Sequence, residues 1–418
     1  MRGYSIFSLA RNAVTYHKHW PRAWRSPAPG PLYDVVIVGG GGHGLATAYY
    51  LAKEHGITNI AVLEKGWLGG GNTGRNTTNV RSNYILEQNQ HFYEFSLKLW
   101  EGLSQDLNYN VMFSQRGVLI TGHFDPQIQA LLRRGNGMRV IGSDAVFLTR
   151  EEVRRKVPIL DFSPDARFPI KGGLLQPRAG VARHDAVAWG YARAADARGV
   201  DIIQNCEVTG IRVEAGRVCG VDTTRGYIAA KRVGIAVAGH SSHLAAMAGL
   251  RLPIESHLLQ AMVTEPIKPM LNVSLSFGAG HFYTSQTDKG ELVMGGDLDG
   301  YNSYAQRGNL PMIEHVAAGA VTALPCIGRL RIMRHWAGIT DMTMDGSPII
   351  AKTPVEGLYL NGGWCYGGFK ATPASGWVFA YTIAQDRPHA LNLPFNLERF
   401  ASGYMIDERG VGPYPALH

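Results

Sequence analysis

Four glycines following a β-branched run are the first residues in this chain whose types and spacing imply chemistry. In YDVVIVGGGGHGLATAYYLAKEHGITNIAVLEK, residues 33–65, the run Val35-Val36-Ile37-Val38 gives way to Gly39-x-Gly41-x-x-Gly44 and then to a helical pattern. A second apolar run closes on Glu64 and Lys65, so strand, tight turn, helix, strand and acid follow in about thirty residues. Gly39 lets the chain turn off the strand, and Gly41 and its neighbour Gly42 let backbone approach a pyrophosphate. Gly44 lets helix and strand pack closely. The helix start offers unpaired N–H groups to phosphate oxygens, and Glu64 can accept hydrogen bonds from a ribose diol while repelling a 2′-phosphate.

Two cations lie outside this unit. Arg81, in a loop returning toward the cofactor, has the planar fork that grips a carboxylate through two parallel hydrogen bonds. Lys370, in Gly-Gly-Trp-Cys-Tyr-Gly-Gly-Phe-Lys with apolar neighbours, reads as a fixed cation in a tight glycine-rich loop near the cofactor ring. No Ser/His/Asp arrangement and no HxxxH or HxH pair beside an acid stands out, so hydrolase and metal chemistry have no residues to carry them. His240 and His257 read as packing or loop residues.

The elements that must position these groups follow in an informative order. A long helix is expected over Glu87 to Leu107, a strand over Arg116 to Gly122, a helix over Asp125 to Ser143 and a short one over Arg150 to Val157. A strand-poor stretch then runs to Gly180. Asp185 reads as the N-cap of a helix carrying Ala186 to Arg198. Strands at Val200 to Asn205, Gly210 to Glu214, Val218 to Thr223 and Gly226 to Val237 follow. Where a nicotinamide dehydrogenase would build a second mononucleotide half, this chain builds a β-meander, which is how flavoproteins complete an FAD domain. From Leu252 to Leu330 the strands read as an antiparallel sheet capping the substrate. A final helix is expected from about Ser375 to Asp386.

The predicted fold class is therefore α/β: a Rossmann-like FAD-binding domain from 32–90, 178–247 and 335–390, with an α+β substrate domain on an antiparallel sheet from 91–177 and 248–334. Residues 1–31 are a basic extension and 391–418 a C-terminal tail. A chain of 418 residues with 45% apolar content supports two or three such units. Of the formal charge of +8, the extension supplies five through Arg2, Arg11, Lys18, Arg22 and Arg25, with no acid. The rest is near balance, which argues against a general nucleic-acid surface; Trp20 and Trp24 beside those cations suit contact with a membrane surface or RNA, and equally docking on a partner protein. No apolar run is long enough to span a bilayer, and the four cysteines form no CxxC pair. Reduced thiols in a cytoplasmic location are the expectation.

The segments VGGGGHGLATAYYLA, RNTTNVRSNY, QPRAGVARHDAVAWG, QNCEVTG, KGELVMG, TMDGSPII and GWCYGGFKATPASG together resemble the FAD-dependent glycine/D-amino-acid oxidase family, and within it the β subunits of heterotetrameric sarcosine oxidases. The likeness spans roughly residues 32 to 410. It implies that Arg81 and Lys370 bind the carboxylate of an amino-acid substrate, that Val208 meets the adenine of a non-covalent FAD, and that Asp345 to Pro348 with Gly367 and Gly368 line the isoalloxazine. It also implies that His184, in the R-H-D motif, carries FMN covalently. Single-subunit relatives tether FAD to a cysteine before this Asp, and 327–364 contains none here. The implied reaction is oxidative demethylation of sarcosine to glycine and formaldehyde, with electrons reaching oxygen through FMN, in an assembly with α, γ and δ subunits. An FAD-only oxidase or dehydrogenase of another secondary amino acid, and a non-catalytic electron-transfer subunit, are the alternatives.

Overall fold

The computed structural model describes residues 5–18, 22–280 and 282–408. Arg2 and Trp20 of the basic extension lie outside the described residues, as does the end of the C-terminal tail.

The β-branched run forms strand Leu32–Val38, with Val35, Val36 and Ile37 fully buried. It pairs in parallel with Ile60–Leu63 on one side and Gly226–Ile235 on the other. Together with Ile349–Lys352, Leu358–Gly362 and Asp201–Ile203 these strands make a sheet, from which the meander Val208–Glu214 and Arg217–Thr223 branches. Helix Gly42–His55 follows the glycine turn and ends at Gly56, whose φ of +66° is a left-handed stop. It packs against helix Gly368–Gln385. Gly376 is what allows the approach, since a Cβ there would collide with Ala46.

A second eight-stranded sheet runs in the order Ile332–Thr343, Ile254–Thr264, Leu292–Asn302, Phe282–Gln286, Ser274–Phe277, Val118–Gly122, Gly172–Gln176 and Val146–Thr149. The antiparallel sheet expected for the substrate layer is thus antiparallel except for one pair: Ser274–Phe277 lies parallel to Val118–Gly122. A two-stranded ladder, Asn79–Val80 with Gly180–Val181, joins the loop before Arg81 to the segment before His184.

Several expectations need correction. Residues 158–180 are not strand-poor: Gly172–Gln176 sits between two strands of the second sheet, and its glycines exist because a Cβ at Gly173 would come within 2.9 Å of the Ile120 carbonyl. Leu310–Ala323, within the stretch read as strands, is a helix capped by the Asn309 side chain on the Met312 N–H. The helix expected after an Asp185 cap begins at His184; Asp185 instead takes the Arg183 guanidinium and the Ala186 N–H. The last helix starts at Gly368, not near Ser375, and carries Pro373 inside it, so Lys370 lies in a helical first turn, not in a loop.

One core runs across the expected layer boundary. Helix Glu87–Asp106, assigned from residue 91 to the substrate layer, buries Phe92, Tyr93, Leu97 and Trp100 in the same core as the glycine-loop helix. The C-terminal stretch is packed into that core through Phe395. In the extension, Ile6–Val14 is a helix with no buried residue, while Trp24 packs on the main core and Arg25 pairs with Asp196 at 2.8 Å.

Candidate functional site: a cofactor cleft ending in two cations

A cavity of about 680 Å³ lies between the sheets, of the size that small-molecule and cofactor sites have. The glycine turn forms one end. Gly39 has φ of +110°, and a Cβ there would strike the Ala236 carbonyl. At Gly41 a Cβ would meet only Thr73 Oγ1, at 3.2 Å, so this backbone is open to the cavity. The Gly42 N–H donates to Thr73 Oγ1 at 2.9 Å. Gly44 lies off the lining; a Cβ there would hit the Gly39 carbonyl, so its part is the close packing of helix on turn.

Glu64 follows its strand directly and faces the cavity. Its two oxygens accept from the Gly40 and Gly66 N–H groups, each at 2.9 Å, which fixes the carboxylate while leaving lone pairs for a ligand. Lys65 and Val208 line the same end. Lys65 Nζ stands 3.3 Å from His240 Nε2, and burial, with this cation adding, drives His240 down to about 4. His240 therefore belongs to the cleft, contrary to its reading as a packing or loop residue. A dinucleotide fits this end: there is a backbone surface open at Gly41, a helix start behind it and a fixed carboxylate at the second strand.

Arg81 and Lys370 line the far end, together with Gly368, Trp364 and Tyr366 and with Phe277, Phe282 and Tyr283 of the second sheet. The Arg81 guanidinium donates to Asn83 Oδ1 and lies over the Tyr84 ring. Lys370 is 6% exposed; its Nζ donates to the Tyr366 carbonyl at 2.6 Å. Burial holds this ammonium well below the ordinary lysine range, and the charge of Arg81 pushes the same way. Its own carbonyl accepts from Ser96 Oγ and Trp100 Nε1, at 2.7 and 2.8 Å, tying the residue to helix Glu87–Asp106. Two cations converging on a largely apolar space suit a small anionic ligand.

Asp341 is the buried acid of this cavity. It accepts from the Gly363 N–H at 2.5 Å, and burial pushes it up to about 6. His43 escaped sequence reading although it stands inside the glycine motif. Its ring meets Ser375 Oγ at 2.6 Å and the Gly368 carbonyl at 2.8 Å, pinning the glycine turn to the helix of Lys370, and burial lowers it to about 4. Its partners lie more than three hundred positions away, so no local spacing could signal it.

Two expectations land elsewhere. Gly367 is absent from the lining; a Cβ there would collide with the Tyr93 hydroxyl, so it makes room for packing. Asp345 to Pro348 are also off the lining, because the Asp345 carboxylate is buried against Arg399 at 2.8 Å. His184, expected to carry FMN rather than to line this cleft, lies outside the cavity. It is half-buried at the first turn of its helix, with Nδ1 buried and unpartnered, and burial lowers its affinity for a proton.

Comparison with known proteins agrees with this geometry. The sequence model of the FAD dependent oxidoreductase family matches residues 34–382. The sarcosine oxidase subunit beta of Rhizobium meliloti (strain 1021) is 62% identical over 415 residues, 99% of this chain and 100% of that protein. The subunit of the same name from an Arthrobacter species is 54% identical, covering 93% of this chain and 96% of its own. Among solved structures, L-proline dehydrogenase from P. horikoshii superposes with a TM-score of 0.84 at 27% identity, covering 90% of this chain and 99% of that one.

Proposed function

This chain belongs to the FAD-dependent oxidoreductase family, among the sarcosine oxidase β subunits, and is a flavin-dependent amine oxidoreductase; on that premise we propose that its substrate is sarcosine. The observation that carries the reading is the shared lining of one cavity: the glycine turn with Glu64 at one end, Arg81 with Lys370 at the other. FAD bound along the glycine turn supplies the hydride acceptor. The residues of this chain do the rest. Arg81 and Lys370 hold the carboxylate, and the aromatic wall of Phe277, Phe282 and Tyr283 limits water around the methylamine. Loss of a hydride from the N-methyl carbon and of the nitrogen proton gives an imine, and water then releases glycine and formaldehyde.

His184 is the proposed point of covalent FMN attachment. A neutral imidazole with a buried, unpartnered ring nitrogen suits a nucleophile toward the flavin 8α carbon. That group would supply the exit by which oxygen takes two electrons as hydrogen peroxide. The relatives' designation as β subunits supports a multi-subunit enzyme; the proposal is an assembly with α, γ and δ subunits in the cytoplasm. Among the described residues no helix is long and apolar enough to cross a membrane.

The test is sarcosine-dependent bleaching of the bound flavin. Arg81→Ala and Lys370→Ala should abolish it at substrate levels that saturate the parent. If both variants are reduced normally, the chain is not the site of amine oxidation. Flavin fluorescence that stays with the chain on a denaturing gel, and is lost in His184→Ala, tests the FMN assignment. A chain without such fluorescence is the FAD-only enzyme.

A further inference from the structure

Helix Glu87–Asp106 starts without a cap of its own. Leu86 stands at the N-cap and offers no side-chain acceptor to the first free amides. The acceptor comes from the other end of the described chain. One oxygen of Glu408 accepts from the Ile85 N–H at 2.7 Å; the other accepts from the Leu86 N–H and from Asn89 Nδ2, both at 3.1 Å. This is a carboxylate at a helix start, the charge that position favours.

Glu408 is held there by a buried scaffold. The Ile406 N–H donates to Asp345 Oδ2 at 3.1 Å, Ser347 Oγ donates to the Ile406 carbonyl at 2.7 Å, and the Glu408 N–H donates to the Asp345 carbonyl at 3.2 Å. Arg399 closes the arrangement with two bonds to the Asp345 carboxylate. The loop that ends at Ile85 and Leu86 begins at Arg81. Its upstream side is fixed independently, since fully buried Gln176 accepts from the Ser82 N–H at 2.9 Å and donates to Ser82 Oγ at 2.6 Å. Gln176 and Glu408 therefore hold a short loop at Ser82 and at Ile85–Leu86; Tyr84 lies between the two holds, and Arg81, which faces the cavity and rests its guanidinium on Tyr84, lies immediately before the first.

We propose that Glu408 is a positioning residue for the carboxylate-binding end of the cavity: by capping helix Glu87–Asp106 from the C-terminal segment, it fixes the loop that presents Arg81. This rests on the reading of Arg81 and Lys370 as a carboxylate clamp. The charges facing the loop agree with it. Arg134 is lowered to about 10, by burial first and by Arg81 second, and Glu408 opposes that shift. Glu408 is thus an acid that offsets the crowding of positive charge on Arg134.

The experiment uses the full chain with FAD bound, in complex with whatever subunits copurify. In Glu408→Ala, the Ile85 and Leu86 amides should exchange with solvent at least about tenfold faster. The KM for sarcosine and the Kd for acetate, read from the flavin spectrum, should rise together by about tenfold, the size of one lost charge-assisted hydrogen bond, with kcat within about twofold. Glu408→Gln keeps one acceptor oxygen and should fall between the two, and it decides the matter by the same readouts if Glu408→Ala loses FAD. Faster exchange with unchanged KM and acetate affinity makes Glu408 merely structural and overturns the proposal, as does unchanged exchange. If the parent protein neither binds acetate nor oxidises sarcosine, the carboxylate reading has failed, and the amide exchange alone scores the cap.

Discussion

The guanidinium carbon of Arg81 lies 5.1 Å from the centre of the Tyr84 ring, and that ring stacks on Tyr93 at 3.8 Å with only 11° between planes. The cation proposed to grip the substrate thus rests on a two-ring support, both members of which are buried. Tyr84→Leu removes the quadrupole and leaves the backbone in place. A cation–π contact of about 0.5–2 kcal/mol corresponds to a KM for the amino acid raised roughly two- to thirtyfold. FAD content should not change, and steady-state kinetics with flavin quantitation checks both.

Lys370 gives a pH dependence. Its folded-state value is held well below 10.5 by burial and by Arg81, and a carboxylate pairs with its protonated form. Affinity for acetate should therefore fall as pH rises through that lowered value, by up to about tenfold per unit above it. In Lys370→Met the titration should be flat over the same range and weaker at the acid end. Stability without ligand runs the opposite way. The unfolded chain keeps the lysine proton throughout the window between the lowered value and 10.5, so stability rises with pH across that window. Spectral titrations and denaturant melts at a series of pH values check the two signs.

Gly44 and Gly102 should respond oppositely to the same change. A Cβ at Gly44 would run into the Gly39 carbonyl, so Gly44→Ala must push the helix off the turn at a cost of about 1–3 kcal/mol, with loss of FAD retention. Gly102, within helix Glu87–Asp106, has nothing within 4 Å of its would-be Cβ. Gly102→Ala should stabilise the chain by about 0.5–1 kcal/mol. Chemical denaturation of both variants makes the comparison.

The Arg399–Asp345 pair is 1% and 0% exposed. Taking away one member strands the other charge in the interior, so Arg399→Ala should cost about 3–5 kcal/mol in chemical denaturation. Asp345→Asn should cost less, because the amide oxygen still accepts from Arg399.

The first βαβ unit was legible because each of its constraints is local: a β-branched run, glycines at fixed offsets and an acid at the next strand end. The long helix at Glu87 was legible from its aromatic spacing. What escaped reading was set by distant partners. Gly172 and Gly173 look like turn residues, yet they sit in a strand because the Leu148 carbonyl and Phe147 ring at the first, and Leu119 and the Ile120 carbonyl at the second, leave no space for side chains. Pro373 looks like a stop, yet it lies inside a helix in which the run Lys370 to Gly376 is buried without a break. The resemblance implied Asp345 at the flavin, and nothing near it in sequence reveals that its carboxylate is turned to Arg399, fifty-four positions on. The carboxylate cap at Ile85 belongs to the same class, since its acceptor is 323 positions away.

The glycine turn and the helix of Lys370 that closes on it stand at opposite ends of the chain's reading order. Strand Leu358–Gly362 completes the central sheet beside Gly226–Ile235, and His43 finds both its partners only in Gly368 and Ser375. On a ribosome adding about 5–20 residues per second, the turn emerges tens of seconds before its lid does. During that interval the apolar strand Leu32–Val38 and the apolar face of its helix have no finished surface to cover them. The cleft, lined by residues from Val38 to Thr372, is therefore incomplete until nearly the whole chain has been made.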